Sequence, residues 1–264
     1  MTAGGPRTNE YISTEKLDAR IALHERFTPR GSDIWDFVWS HYDLMDDDHV
    51  LEVGCGTGMF WTCPAASIPL GLEVTLTDRS PGMVRAVVEH VEEQLGAHAA
   101  IVADVQRLPF ADASYTVTLA HFMLYHVPDK ARALRELHRV LVPGGRAGIV
   151  LTRIGHMLDL LVPLKEVRAG LSIAPSDADV FNASVAGPQI RREFPRTRRL
   201  DYEFTMAVTD AALLVAYAAS MPRIQELELT RPEWAHYEEL LQKAIDQDGA
   251  FAVTKKCSVF LCAR

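Results

Sequence analysis

The chain has 264 residues, 48% of them hydrophobic and 23% charged, and a formal net charge of −8. That length and composition suit one elaborated soluble domain with a sizeable core, and they argue against disorder, a fibrous repeat or a disulfide-stapled fold. An acidic chain is a poor partner for nucleic acid or an anionic membrane by bulk charge.

The opening Met1–Arg7 has no apolar core behind a basic start, so no secretory signal is visible and a cytoplasmic location is expected. The most apolar runs, Thr116–Val127 and Ala211–Met221, are shorter than the roughly 20 residues needed to cross a bilayer. Cysteine is sparse, at positions 55, 63, 257 and 262. Cys257 and Cys262 lie an odd number of residues apart in a strand-like run, so they face opposite sides and cannot chelate one metal; no metal is expected.

Residues 1–47 read as an N-terminal helical lid. Its polar head is followed by a helix that Ser13 can cap, with Leu17, Ile21 and His24 on one face and Pro29-Arg30-Gly31 at its end. Ser32 or Asp33 can cap a second helix, apolar along Ile34, Phe37, Val38 and His41.

From His49 the pattern changes. Strands are expected at His49–Val53, Leu72–Thr77, Ala99–Ala103, Tyr115–Ala120 and Arg146–Thr152. Helices fall between them at Pro81–Leu95 and Asp129–Val142, the second stopped by Pro143-Gly144-Gly145. This alternation predicts an α/β fold, a Rossmann-like, mostly parallel sheet with helices on both faces. Residues 48–152 form its core.

After Thr152 the alternation breaks. Gly155–Ala169 reads as a helix and Ile173–Pro188 as irregular, so residues 153–199 are expected to form a cap over the strand ends. Residues 200–264 complete the sheet, with a strand at Leu200–Met206, helices at Asp210–Ser220 and Pro232–Ile245, and a long last strand at Phe251–Cys262.

The most informative segment is Val50-Leu51-Glu52-Val53-Gly54-Cys55-Gly56-Thr57-Gly58. A buried strand runs into glycines at alternate positions and then a helix, which lets a ligand approach the backbone closely. The spacing is G-x-G-x-G rather than the dinucleotide G-x-G-x-x-G, and no Gly-Lys-Ser/Thr follows. Asp78 ends the second strand, where a carboxylate can accept both hydroxyls of a ribose. Asp104-Val105 ends the third, placed to accept from an adenine amino group.

Together with Leu108-Pro109-Phe110 and Leu141–Gly145, these elements resemble the class I S-adenosylmethionine-dependent methyltransferases, in their small-molecule (type 11-like) branch. The likeness spans about residues 48–151. It implies a seven-stranded sheet and S-adenosylmethionine as cofactor. It places Gly54, Cys55 and Gly56 along the methionine part, Asp78 on the ribose with Arg79 and Met83 beside it, and Asp104 and Val105 about the adenine. Ala120 and His121 would face the cofactor's amino-acid end. Pro64, with Trp61 before it, departs from the pattern and implies a short first helix. The head around Tyr11-Ile12-Ser13 and the run Met123–Asp129 resemble a bacterial subgroup that includes carbon methyltransferases of indole-derived metabolites, in which the N-terminal tyrosine folds over the cofactor.

Methyl transfer needs the acceptor, the methyl carbon and the sulfur in line, and a base only where the acceptor is protonated. Candidate bases lie in the run Ala120–Asp129: His126 first, because histidine titrates near neutrality, then His121 and Tyr125. Phe122, Tyr125, His156 and Phe181 are the expected substrate contacts, and Tyr202 and Tyr217 add aromatic surface. The acceptor expected is a small aromatic or heterocyclic metabolite, with carbon methylation of an indole as the narrowest form. O- or N-methylation with His126 as base, or a non-catalytic cofactor-binding protein, are the alternatives. Arg191, Arg192, Arg196, Arg198 and Arg199 read as a solvated face, so no nucleic acid and no membrane partner is expected, while the lid could mediate a homo-oligomer.

Overall fold

The computed structural model describes residues 14–29, 33–63, 67–95 and 98–264, with side chains from residue 21 onward. Two helices come first, α1 (Thr14–Phe27) and α2 (Ile34–Tyr42), and Asp33 caps α2 by accepting the Trp35 N–H. The expected caps at Ser13 and Ser32, the Arg30-Gly31 end of the first helix, Tyr11 and Pro64 lie outside the described residues.

Next come β1 (His49–Val53), α3 (Met59–Thr62), β2 (Glu73–Asp78), α4 (Pro81–Val91), β3 (His98–Val102) and β4 (Tyr115–His121). These are followed by α5 (Lys130–Val140), β5 (Leu141–Thr152), α6 (Leu164–Val167), α7 (Asp177–Val180) and α8 (Ala183–Glu193). The chain ends with β6 (Arg196–Val208), α9 (Ala211–Ser220), α10 (Pro222–Gln225), α11 (Arg231–Asp248) and β7 (Phe251–Ala263).

The strands form one seven-stranded sheet in the order β3-β2-β1-β4-β5-β7-β6. Neighbours from β3 to β5 pair in parallel, and β7 runs antiparallel to both β5 and β6. The architecture is therefore the Rossmann-like sheet expected. From β1 the chain winds outward to β2 and β3, then returns to the other side of β1 as β4. That reversal opens a crevice at the carboxyl ends of β1 and β4, the place where such sheets bind ligands.

One sheet face packs on α5 and α8 through Leu134, Leu137, Ala186 and Ile190. The opposite face packs on α2, α3 and α4 through Val38, Phe60, Trp61 and Val87. A third core joins Leu23 of α1 to Leu214 and Tyr217 of α9 and to Tyr237 and Leu241 of α11. Cys257 enters the α2 face and Cys262 the α5 face. Helix α2 is thus a wall of the sheet. Gly148 is what allows this, since a Cβ there would collide with the Tyr42 ring.

The structure corrects several boundaries. Pro143-Gly144-Gly145 does not separate a helix from a strand; β5 already begins at Leu141 and passes through it, with a register shift between Tyr115 and Val117 on β4. The expected helix at Gly155–Ala169 is broken by the left-handed Met157 and by Pro163 into a 3-10 turn, Leu158–Leu161, and α6. The stretch 173–188 is irregular only at its start and is mostly helical from Asp177 on. Ser176 and Asp179 form a capping box that starts α7, and Asn182 accepts two backbone N–H groups to start α8, which accommodates Pro188. Strand β6 begins at Arg196, inside the segment assigned to the cap, so the arginine run divides between α8 and a strand.

Candidate functional site

The loop after β1 gives its three glycines three tasks. All have positive φ, at +62° for Gly54, +57° for Gly56 and +81° for Gly58, where side chains are strained. A Cβ on Gly54 would strike Met123, and one on Gly58 would strike Val87 and Val91 of α4. A Cβ on Gly56 would meet nothing within 4 Å. Gly54 and Gly58 are packing glycines, whereas Gly56 faces open space.

The loop is pinned from β2. The Cys55 N–H donates to the Thr77 carbonyl at 3.0 Å, and the Gly56 N–H donates to Asp78 Oδ2 at 3.1 Å. The other oxygen, Oδ1, accepts the Ser80 N–H at 2.8 Å, just before α4. Desolvation raises the Asp78 carboxyl above its usual range, against the lowering pull of these two N–H groups and Arg79. Burial, with Glu52 and Asp78 nearby, pushes the Cys55 thiol up, so it stays protonated. Arg79 is exposed and Met83 is buried in α4.

At the end of β3 the Asp104 carboxylate accepts both the backbone N–H and the side-chain amide of Gln106. The Gln106 Oε1 in turn accepts the N–H of Asp129, the cap of α5. Val105 is buried in the α5-side core, with its neighbour Leu108. Sequence reasoning missed Gln106, which ties the β3 end to the β4–α5 connection.

His121 closes β4 in a fully buried chain of polar groups. Its Nδ1 lies 2.7 Å from Glu52 Oε1, its Nε2 2.9 Å from the Tyr42 hydroxyl, and Trp61 Nε1 donates to Glu52 Oε2 at 2.6 Å. The side chains of His121 and Glu52 are each 3% exposed. Burial and Glu52 hold the Tyr42 phenol well above its usual pKa. Every proton is used when Tyr42 donates to Nε2 while Nδ1–H and Trp61 donate to the carboxylate. Both ring nitrogens of His121, an expected catalytic residue, are thus engaged in fixing the strand end. Ala120 beside it is buried in the sheet core.

Phe122 adopts φ +52°, a strained left-handed conformation for a bulky residue, directly after β4. Its ring meets Trp35 edge-on, and Trp35 also meets His121 edge-on. Tyr125 and His126 follow in a 3-10 turn, with His126 Nδ1 3.9 Å from Asp177 Oδ2 of α7.

Beyond them lies a cavity of about 160 Å³, lined by Tyr125, His126, Thr152, His156, Tyr217 and Arg223 among others. Thr152 ends β5, so this cavity adjoins the strand-end crevice. His156 is half-buried, its ring against the backbone of Lys256, and desolvation together with Lys255 lowers its pKa to about 3. It is neutral near pH 7. Phe181, an expected substrate contact, is buried in the α5-side core, and the Lys130 ammonium sits 5.2 Å from its ring. Tyr202 stacks on Phe37 of α2, away from the cavity.

Among the described residues no group of three or more His, Cys, Asp or Glu side chains is placed to hold a metal, and no helix is long and apolar enough to cross a membrane.

A family model described as a methyltransferase domain matches residues 51–149. The chain is 34% identical over 105 residues to the demethylmenaquinone methyltransferase of Lactiplantibacillus plantarum, covering 39% of this chain and 44% of that one. It is 32% identical over 114 residues to the malonyl-[acyl-carrier protein] O-methyltransferase of Pseudescherichia vulneris, covering 42% of this chain and 41% of the relative. These matches span less than half the length of either relative. The fold is shared with a SAM-dependent methyltransferase from Aquifex aeolicus at a TM-score of 0.50 and 18% identity, over 70% of this chain and 89% of that one. The matched segment runs from β1 into β5, the part that builds the glycine loop, Asp78 and the end of β4. The open side of Gly56, with the Asp78 carboxylate beside it, leaves room for a ligand at this loop.

Proposed function

We propose that the chain transfers the methyl group of S-adenosylmethionine to a small aromatic or heterocyclic acceptor. The observation that carries this reading is the glycine loop at the sheet's reversal point, open at Gly56 and held there by Asp78. Gly54, Cys55 and Gly56 would follow the methionine part and Asp78 would take the ribose hydroxyls. Arg79, Met83, Asp104 and Val105 would flank the nucleoside, with Ala120 at the β4 end. When bound, the cofactor supplies an electrophilic methyl on a sulfonium. The chain's own part is to hold the acceptor in line and exclude water, and positioning of this kind is worth up to roughly 7–11 kcal/mol.

The two curated relatives are named for different acceptors, a demethylmenaquinone and a malonyl-[acyl-carrier protein]. Their common ground with this chain is the donor-side segment, so the acceptor is chosen by what lies outside it. Carbon methylation of an indole-type acceptor is the narrowest form of the proposal, supported by the resemblance of Met123–Asp129. A second reading, O- or N-methylation, is favoured by His126, whose Nδ1 lies 3.9 Å from Asp177. His126 stands on the cavity wall, where a general base has to be, with the Asp177 carboxylate near its ring.

The test is calorimetry with S-adenosylmethionine and S-adenosylhomocysteine, followed by a screen of aromatic acceptors for the mass gain of one methyl. Failure to bind either ligand would sink the methyltransferase reading and the cofactor-sensor alternative together. With an acceptor in hand, His126→Ala separates the two chemistries. An unchanged pH–rate profile rules out His126 as base, and loss of the acidic limb supports it.

A further inference from the structure

Among the described residues that line the cavity beside the β5 end, Arg223 is the one Lys or Arg, and the proposed reaction does not use it. It lies in α10 and is 7% exposed. Its Nη1 donates to Asp179 Oδ2 at 2.5 Å. That same oxygen accepts the backbone N–H and the hydroxyl of Ser176, at 2.8 and 2.7 Å, so the ion pair is fixed by the capping box of α7. The rest of the guanidinium is not spoken for. Nε is buried without a hydrogen-bond partner, and Nη2 bonds to no other described residue.

A buried guanidinium with a buried donor left unpaired is costly unless something else completes it. Its planar fork matches two oxygens on one carbon. Around it, Met157, Tyr217 and Met221 supply apolar wall. His156 is neutral there and does not compete for an anion. Asp177 and Glu226 belong to the same cavity but are exposed to solvent, where screening weakens their repulsion of an anion. At about 160 Å³ the space is close to that of a cavity that takes up benzene, enough for a carboxylate carried on a single ring.

We propose that Arg223 holds a carboxylate of the methyl acceptor, which makes the substrate an aromatic or heterocyclic acid anchored beside β5 with its ring toward the end of β4. This rests on the methyltransferase reading, and it adds a specificity-determining residue to it.

The test uses the full chain, labelled with 15N-arginine and saturated with S-adenosylhomocysteine, titrated with benzoate and with benzamide, its neutral isostere. The Arg223 Nε–H resonance, assigned by its disappearance in Arg223→Met, is followed together with the heat of binding. Benzoate is expected to shift that resonance and to bind at least about tenfold tighter than benzamide, the ratio one charge-assisted hydrogen bond provides. Arg223→Met should lose the preference while its affinity for S-adenosylhomocysteine is kept, and Arg223→Lys should keep part of it. Equal binding of the two probes, an unmoved resonance, or a preference surviving in Arg223→Met overturns the proposal. Should Arg223→Met fail to fold, the wild-type comparison of the two probes decides alone. If S-adenosylhomocysteine does not bind, the methyltransferase reading is what fails, and the same titration without it still reports on Arg223.

Discussion

Replacing Gly56 and Gly58 in turn by alanine separates ligand approach from packing within one loop. Both have positive φ, so each alanine carries a left-handed penalty of roughly 1–2 kcal/mol. At Gly56 nothing lies within 4 Å of the new methyl, so strain is the whole stability cost, and the melting temperature should fall by only about 2–8 °C at roughly 2–4 °C per kcal/mol. At Gly58 the Cβ would stand 2.7 Å from Val91 and 2.8 Å from Val87, closer than carbon atoms pack. Overpacking adds roughly 1–3 kcal/mol there, for a total of about 2–5 kcal/mol.

Binding should show the opposite order. The Gly56 methyl points to where the cofactor's methionine part would run, so S-adenosylhomocysteine affinity should fall by at least about a hundredfold, roughly 2.7 kcal/mol. Gly58→Ala, measured well below its melting temperature, should lose less than about tenfold. Calorimetry and differential scanning of the same samples give both quantities. If Gly56→Ala binds like the wild type, the cofactor does not pass over Gly56 and the assignment of the crevice is wrong.

The other expectations follow from single contacts. Asp78→Asn keeps the shape but loses the charged acceptor of the ribose hydroxyls, so S-adenosylhomocysteine affinity should drop by about ten- to a hundredfold, and an unchanged dissociation constant contradicts that role. Tyr42→Phe leaves His121 Nε2 without its partner and should cost about 1–3 kcal/mol in urea denaturation, while Glu52→Leu, which leaves Trp61 and His121 both unpaired, should cost more than Tyr42→Phe does. His156 titrates near 6.5 when unfolded and near 3 when folded, so the unfolded chain binds the extra proton between those values. Stability is therefore full above about pH 6.5 and declines as pH falls toward 3, by up to roughly 1.4 kcal/mol per unit, and His156→Gln should flatten that slope.

What was legible in the sequence is what local rules determine. Strand runs such as His49–Val53 and the glycine spacing after it report backbone geometry directly, and Asp78 follows from its place at a strand end. The bonding chain of His121 was not legible, because Tyr42, Glu52, Trp61 and His121 are brought together only by the sheet and α2. Its trace was Glu52 itself, a charged residue inside an otherwise apolar buried strand. The error over residues 173–188 is of a different kind. Ser176 three residues before Asp179, and Asn182 before an alanine-rich run, are readable caps, but Pro175 and Pro188 dominated the reading of that stretch. Proline at 188 sits inside α8 all the same, since strong local caps and burial of Ala186 and Ile190 outweigh one lost backbone donor.

The two halves of the crevice differ in origin. Glu52, Gly56, Asp78, His121 and His126 all lie within residues 51–149, whereas Thr152, Asp177, Asp179 and Arg223 lie beyond them. His126 is where the halves meet, since its ring belongs to the shared segment while the carboxylate facing it is on α7. Helix α7 also holds Asp179, the partner of Arg223. One four-residue helix, set by the Ser176 capping box, thus positions both the candidate base and the candidate anchor. Loosening that box by Ser176→Ala should disturb acceptor binding and any His126-dependent pH profile together while leaving S-adenosylhomocysteine affinity alone, a coupled loss that damage at either side chain singly would not produce.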